Sequence, residues 1–338
     1  LPPVFCAFKA PVCTGAAQKL VTLDGIFPAD GAIAASGRGK QGRMRESTCG
    51  TASAGDKKME IVPDAWYTEQ RIRRLQAGKG VTAVKIAVVT GASSGMGREF
   101  VRQLDREETL DEIWVIARRR ERLEELKGEI QTPARVIALD LAKSESYAQY
   151  RALLEEQKPQ VDVLVNCAGY GKFGTWEDIP LDDALGMIDV NCKALVAFTQ
   201  LTLPYMGKGS RVFELDSLSA FQPVPGLGVY GASKAFVLSY SRALSREAAG
   251  RGVRVMPVCP GWVRTDFFER ATQSSDSTVT YFSRWFTAEQ VVRTALRDMQ
   301  KGKAVSVCGF STRAQVLAVK LLPHSLVMRI WMKQQKMR

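Results

Sequence analysis

From residue 85 onward, short apolar runs alternate with longer stretches whose apolar positions recur every three or four residues. The runs at 86–90, 113–117, 136–139, 161–166, 211–215, 253–258 and 304–307 have the length and β-branched content of buried strands. Between them, amphipathic patterns at 95–104, 120–130, 144–157, 181–206, 229–249 and 288–300 predict helices. Alternation of this kind predicts an α/β fold: a doubly wound parallel sheet of about seven strands with helices on both faces. Residues 312–338 predict a further helical pair broken at Pro323, because proline cannot continue a helix.

Residues 1–58 lack either periodicity and are rich in Gly, Ala, Ser and Thr. They are expected to be a disordered or non-native N-terminal extension. Residues 59–84 form a lead-in, 85–310 the catalytic domain, and 311–338 a basic C-terminal helical extension. Met59 opens the first better-patterned stretch, so natural translation is expected to start near it, with an organellar transit peptide as the alternative.

A chain of 338 residues with 46% hydrophobic content can bury a sizeable core. The net charge of +12 first suggests nucleic acid, but its location argues otherwise. Residues 59–298 carry 31 basic and 31 acidic side chains, whereas 299–338 carry eight basic and no acidic ones. A neutral body excludes a nucleic-acid footprint over the domain. The basic tail reads as a solvated face, a packing or oligomer contact, or an attraction to anionic membranes. Seven cysteines form no Cys-x-x-Cys pair, which fits a reduced, cytoplasmic chain. The single histidine, His324, removes His-rich metal sites, and no metal is expected. No signal peptide is visible, and no stretch of about 18 uninterrupted apolar residues occurs.

Two pieces carry chemistry. The turn Thr90-Gly91-Ala92-Ser93-Ser94-Gly95-Met96-Gly97 follows the first strand and opens the first helix. Glycines there let backbone approach a pyrophosphate, and a helix N-terminus favours negative charge. Downstream, Tyr230 and Lys234 are spaced four apart, so one helical face carries both. An ammonium near a phenol, whose ordinary pKa is about 10, favours phenolate and readies it for proton exchange.

With the Gly-x-x-x-Gly-x-Gly spacing, the chain resembles the short-chain dehydrogenase/reductase family, whose Rossmann-type fold it would share. The order of motifs extends the resemblance over residues 84 to 310. Asp140-Leu141 is similar to the pair that holds adenine, and Asn166-Cys167-Ala168-Gly169 to Asn-Asn-Ala-Gly, with Cys167 a departure. Asn191 stands where the family has a catalytic asparagine, and Ser217 lies thirteen residues before Tyr230. Pro260-Gly261, Val263 and Thr265 match the segment that contacts the nicotinamide. The resemblance makes Tyr230 proton donor and acceptor, assisted by Lys234, which also holds the nicotinamide ribose. Ser217 would bond the substrate oxygen, and Asn191 would position a water in a proton relay or serve as a helix-bend residue. Gly91, Ser93, Ser94, Gly95, Met96, Gly97, Ala168 and Gly169 complete the cofactor-binding set.

An arginine after the second strand accommodates the 2′-phosphate of NADP, where a carboxylate would hold the ribose hydroxyl of NAD. Arg118, Arg119 and Arg120 stand there, so NADP(H) is favoured, with Arg118 the expected contact and NAD(H) the alternative. Ser94 departs from the basic residue that many NADP-preferring relatives carry in the turn. Seven aromatic residues between 262 and 286 suit a bulky apolar ketone or alcohol, or ordinary packing beneath a loop. The expected activity is interconversion of a ketone or aldehyde with an alcohol by a homodimer or homotetramer. Alternatives are an NAD-dependent alcohol dehydrogenase, a non-catalytic dinucleotide sensor, and a serine hydrolase using Gly91-Ala92-Ser93-Ser94-Gly95 as its elbow with His324 downstream.

Overall fold

The computed structural model of the chain describes residues 83–272, 279–282 and 284–337. The expected extension 1–58 and nearly all of the lead-in 59–84 lie outside the described residues. The described residues belong to one compact unit, 62–338.

The apolar runs become β1 (Lys85–Thr90), β2 (Glu112–Ala117), β3 (Ala134–Ala138), β4 (Gln160–Asn166), β5 (Arg211–Leu215) and β6 (Arg254–Val258). They pair in parallel in the order β3-β2-β1-β4-β5-β6. Alternate residues of β1 show why these runs contain so little polarity. Ala87 and Val89 face α1 (Gly95–Glu107), α2 (Arg120–Lys127) and α8 (Ala288–Gln300) through Phe100, Leu123 and Val291. Ile86 and Val88 face α3 (Ser144–Gln157), α5 (Leu195–Thr202) and α6 (Gly228–Glu247) through Tyr150, Phe198 and Leu244. Side chains on a strand alternate between faces, so a sheet covered on both sides needs apolar residues throughout.

The seventh expected strand does not form as one. Residues 304–307 contribute only an isolated bridge, Ser306 to Val258, leaving six paired strands in the main sheet. Gly302 and Gly309, both at positive φ, bracket that segment and limit its length. A short parallel pair that the pattern did not show, β7 (Trp262–Arg264) with β8 (Trp285–Thr287), lies after β6.

The single helix expected over 181–206 is broken into α4 (Leu181–Ile188), a π-helical turn at Asp189–Ala194, α5, and a 3-10 turn at Leu203–Tyr205. A short α7 (Phe267–Ala271) follows β7. The tail forms α9 (Phe310–Leu321) and α10 (His324–Gln334), with Pro323 between them as expected.

Candidate active site

The strand order reverses between β1 and β4, which opens a crevice at their C-terminal ends. Thr90 ties its two sides together. Its hydroxyl accepts from the backbone N–H groups of Cys167 (3.1 Å) and Ala168 (3.2 Å). Gly91, at φ +69°, sits so close to this edge that a Cβ would meet Ala168 N at 2.7 Å. Gly97 is packed against the Gly91 backbone in the same way. These glycines bring the turn and the helix behind it flush with the crevice, so bulk at either position would displace backbone.

The N-terminus of α1 has neither a side-chain cap nor an acidic residue in its first turn, so its N–H groups retain their attraction for anions. At its mouth, Arg119 Nη2 donates to Ser93 Oγ (3.3 Å) and Ser94 Oγ (3.4 Å). Arg118 is exposed one residue beyond β2. Arg120 and Arg122 are paired with Glu124 and Asp266. Among the arginines after β2, the sequence argument singled out Arg118; the guanidinium that reaches the turn is Arg119. The three-dimensional approach of strand end to loop could not be read from spacing.

Tyr230 and Lys234 lie on α6, and both side chains line one cavity of about 600 Å³. Lys234 Nζ is 5.8 Å from the Tyr230 ring centroid and donates to the Leu215 carbonyl at 2.8 Å. Ser217, at the start of a 3-10 turn after β5, lines the same cavity as Tyr230 and Lys234, its hydroxyl accepting from Ser219 N at 3.2 Å. Burial pushes the Tyr230 phenol above its ordinary value, while the nearby Ser217 hydroxyl opposes that shift and Asp216 reinforces it. Burial likewise lowers Lys234, and Asp216 draws it back up. Tuning of the pair is therefore a contest between a dry pocket and its polar contacts.

Asp216 and Glu214 were not anticipated. Burial raises Asp216 to about 7 and Glu214 to about 8, against Lys234 and hydrogen bonds that pull down. Both carboxyls alternate with the apolar residues of β5 and its end, a period-2 signal that the run itself offered.

Asn191 lies in the π turn and is fully buried. Its Nδ2 donates to Tyr170 O (2.9 Å) and Ser233 Oγ (3.0 Å), and its Oδ1 accepts from Tyr170 N (3.0 Å). The helix-bend description is the one this geometry matches. Asn166 points into the core, where Nδ2 donates to Thr199 Oγ1 at 2.8 Å. Asp140 accepts from Ala142 N at 3.2 Å and so caps its own turn, and Leu141 is buried. Of the remaining expected residues, Met96, Gly169, Pro260, Gly261, Val263 and Thr265 line the cavity.

Aromatic side chains build much of the far wall. Phe267 tilts against Tyr230 at 5.5 Å, and Trp262 meets Phe282 edge-on at 4.8 Å. Trp262, Phe267, Phe268, Tyr281 and Phe286 face the cavity, while Phe282 and Trp285 pack edge-on or tilted behind them. Lining and packing are thus shared among the seven rings. The remaining wall comes from the C-terminal pair, including Ala318, Val327, Ile330 and Trp331, whose indole donates to Pro225 O at 2.8 Å. That contribution was invisible in the sequence, because it depends on where the tail docks.

A model of short chain dehydrogenases matches residues 85–276. The chain belongs to the short-chain dehydrogenase family. It is 34% identical over 187 residues to an uncharacterised oxidoreductase of Staphylococcus epidermidis, covering 55% of this chain and 80% of that one. A very-long-chain 3-oxoacyl-CoA reductase of Anas platyrhynchos is 31% identical over 261 residues, covering 74% of this chain and 80% of the other. A short-chain dehydrogenase from Sphingobium yanoikuyae, solved in complex with NADPH, shares the fold. Its TM-score is 0.60 at 24% identity over 70% of this chain and 92% of that one. The chain is accordingly an oxidoreductase acting on alcohol and carbonyl groups. The hydrolase reading ends here, since Ser93 belongs to the dinucleotide turn and His324 is the exposed first residue of α10.

Proposed function

We propose that this enzyme is an NADP(H)-dependent oxidoreductase that interconverts bulky apolar ketones or aldehydes with their alcohols. The observation that carries the reading is the meeting of Tyr230, Lys234 and Ser217 at one end of a cavity whose other walls are aromatic and aliphatic. The residues present fit a dinucleotide: the turn admits no side chain at Gly91 or Gly97, the helix N-terminus is uncapped, and arginines follow β2. The bound dinucleotide would supply or accept the hydride.

The protein's own side chains handle the proton and the charge. During reduction, the Tyr230 hydroxyl gives its proton to the carbonyl oxygen, and the buried Lys234 ammonium stabilises the phenolate left behind. Ser217 donates to the same oxygen as negative charge develops on it. In oxidation the phenolate takes the proton back. Asn191 acts as a positioning residue, holding the Tyr170 backbone and the Ser233 hydroxyl beside Tyr230 and Lys234. Arg118 and Arg119 would grip the 2′-phosphate, and the absence of a carboxylate at that strand end supports NADP(H) over NAD(H). Exposed Leu185 and Ile188 on α4 and Phe236 on α6, two helices packed together, support pairing into a homodimer or homotetramer.

The deciding experiment follows coenzyme oxidation with NADPH and NADH across aliphatic, aromatic, steroidal and acyl ketones, alongside Tyr230→Phe. We expect turnover of bulky ketones with NADPH, reduced by roughly 10²-fold or more in the variant while coenzyme binding persists. Undiminished activity in the variant would remove Tyr230 as the acid.

A further inference from the structure

The C-terminal helix pair carries an apolar surface that lies mostly outside the catalytic cavity. On α9, Thr312, Val316 and Val319 face inward and are buried. Phe310, Leu317 and Leu321 recur at positions i, i+7 and i+11, the spacing of a single stripe, and all three point to solvent at 85%, 60% and 76% exposure. Helix α10 continues the surface with exposed Leu326 and Ile330. A helix with two apolar faces has a second partner besides its own core.

Three further facts choose that partner. The helices bearing the stripe also carry Arg313, Lys320, Arg329 and Lys333, and no acidic residue occurs anywhere in 299–338. No helix among the described residues is long and apolar enough to cross a membrane. Leu322 and Ile330 belong both to this exposed surface and to the cavity wall, so the catalytic pocket opens at the helix pair. A second copy of the chain is disfavoured as occupant, because a two-fold contact through this face would set like charges against one another.

We propose that α9 and α10 lie on an anionic lipid surface and present the mouth of the active-site cavity to it, so that apolar substrate enters from the bilayer. The docking stands on the stripe and its charge; the entry route rests additionally on the function proposed above. Basic side chains provide attraction to the lipid headgroups, and the leucines and Phe310 enter the boundary of the acyl region.

The test is sedimentation of the full chain, with NADPH, on vesicles of phosphatidylcholine with or without 30% phosphatidylglycerol, set beside Leu317→Glu/Leu321→Glu. Neither substituted residue lines the cavity, so that variant should retain turnover of a small water-soluble ketone, which also reports its folding. We expect binding to anionic vesicles to exceed binding to neutral ones by roughly tenfold, to fall in 0.5 M salt, and to be lost in the variant. Turnover of a vesicle-partitioned long-chain ketone should fall with it. Equal sedimentation of parent and variant, or none by either, would overturn the docking. So would a concentration-dependent dimer that the two substitutions dissolve, since the stripe would then belong to a second copy. Vesicle binding without turnover of any ketone would refute the catalytic reading and leave the docking standing. Turnover without vesicle binding would do the reverse.

Discussion

A phenol buried beside an ammonium is a familiar device, but here two further carboxyls crowd the same strand end. Glu214 is fully buried, one oxygen meeting the Thr199 hydroxyl at 2.8 Å while the other has no hydrogen-bond partner. Burial raises its pKa to about 8, above the ordinary 4.5. A raised folded pKa means that the protonated form is favoured in the folded state. The resulting stability is complete below the unfolded value and is lost as pH climbs toward the folded one. We therefore expect the parent Tm to decline between about pH 5 and pH 8, with Glu214→Gln declining less across that window in a thermal-melt series. A matching slope for both proteins would assign the ionisation elsewhere. At the glycine turn, Arg119 contacts both Ser93 and Ser94. Arg119→Ala should raise the KM for NADPH by roughly 10-fold or more and leave that for NADH nearly unchanged, as loss of a charge-assisted contact to phosphate requires.

The helix leading from the fourth strand to the fifth shows how one side chain reshapes an element. Its apolar period runs unbroken from 181 to 206, yet six residues adopt π geometry around Asn191. The local distortion is offset by three hydrogen bonds from a fully buried amide, two of which satisfy the backbone of Tyr170. Replacing Asn191 by Ala would strand a buried donor and acceptor, at a cost of about 1–3 kcal/mol each. Urea unfolding should show a loss of that order, accompanied by a drop in kcat, because α6 and its Ser233 lose their anchor. A variant with parental stability but lower kcat would instead support a direct part in proton relay. The last apolar run, 304–307, teaches the reverse lesson: strand-like composition yields only one bridge where flanking glycines cut the segment short.

At the level of the whole molecule, the catalytic end of the cavity is built by the sheet and its far end by the tail. Trp331, on α10, reaches back to the Pro225 carbonyl and packs in the cluster that contains Tyr230 and Phe173. We expect Trp331→Ala to raise the KM for bulky ketones by roughly tenfold while leaving kcat/KM for a small ketone within about twofold, because a remote wall acts only on substrates long enough to touch it. A uniform loss over all substrates would mean that the tail supports the fold rather than the selectivity.

The division between what chain order determines and what folding adds is physical. Apolar runs covered on both faces, a glycine turn at the first strand end, and a tyrosine and lysine one helical turn apart are local properties, and the sequence by itself was enough to read the doubly wound fold, the dinucleotide crevice and the Tyr230–Lys234 pair. Arg119 at the turn, the Glu214 and Asp216 carboxyls beside Lys234, and a cavity completed by α9 and α10 arise from approaches between residues far apart in the chain, such as Trp331 with Pro225 and with Met96 across the cavity. No periodicity records such distances, because packing of already formed elements, rather than local backbone preference, chooses which surfaces meet.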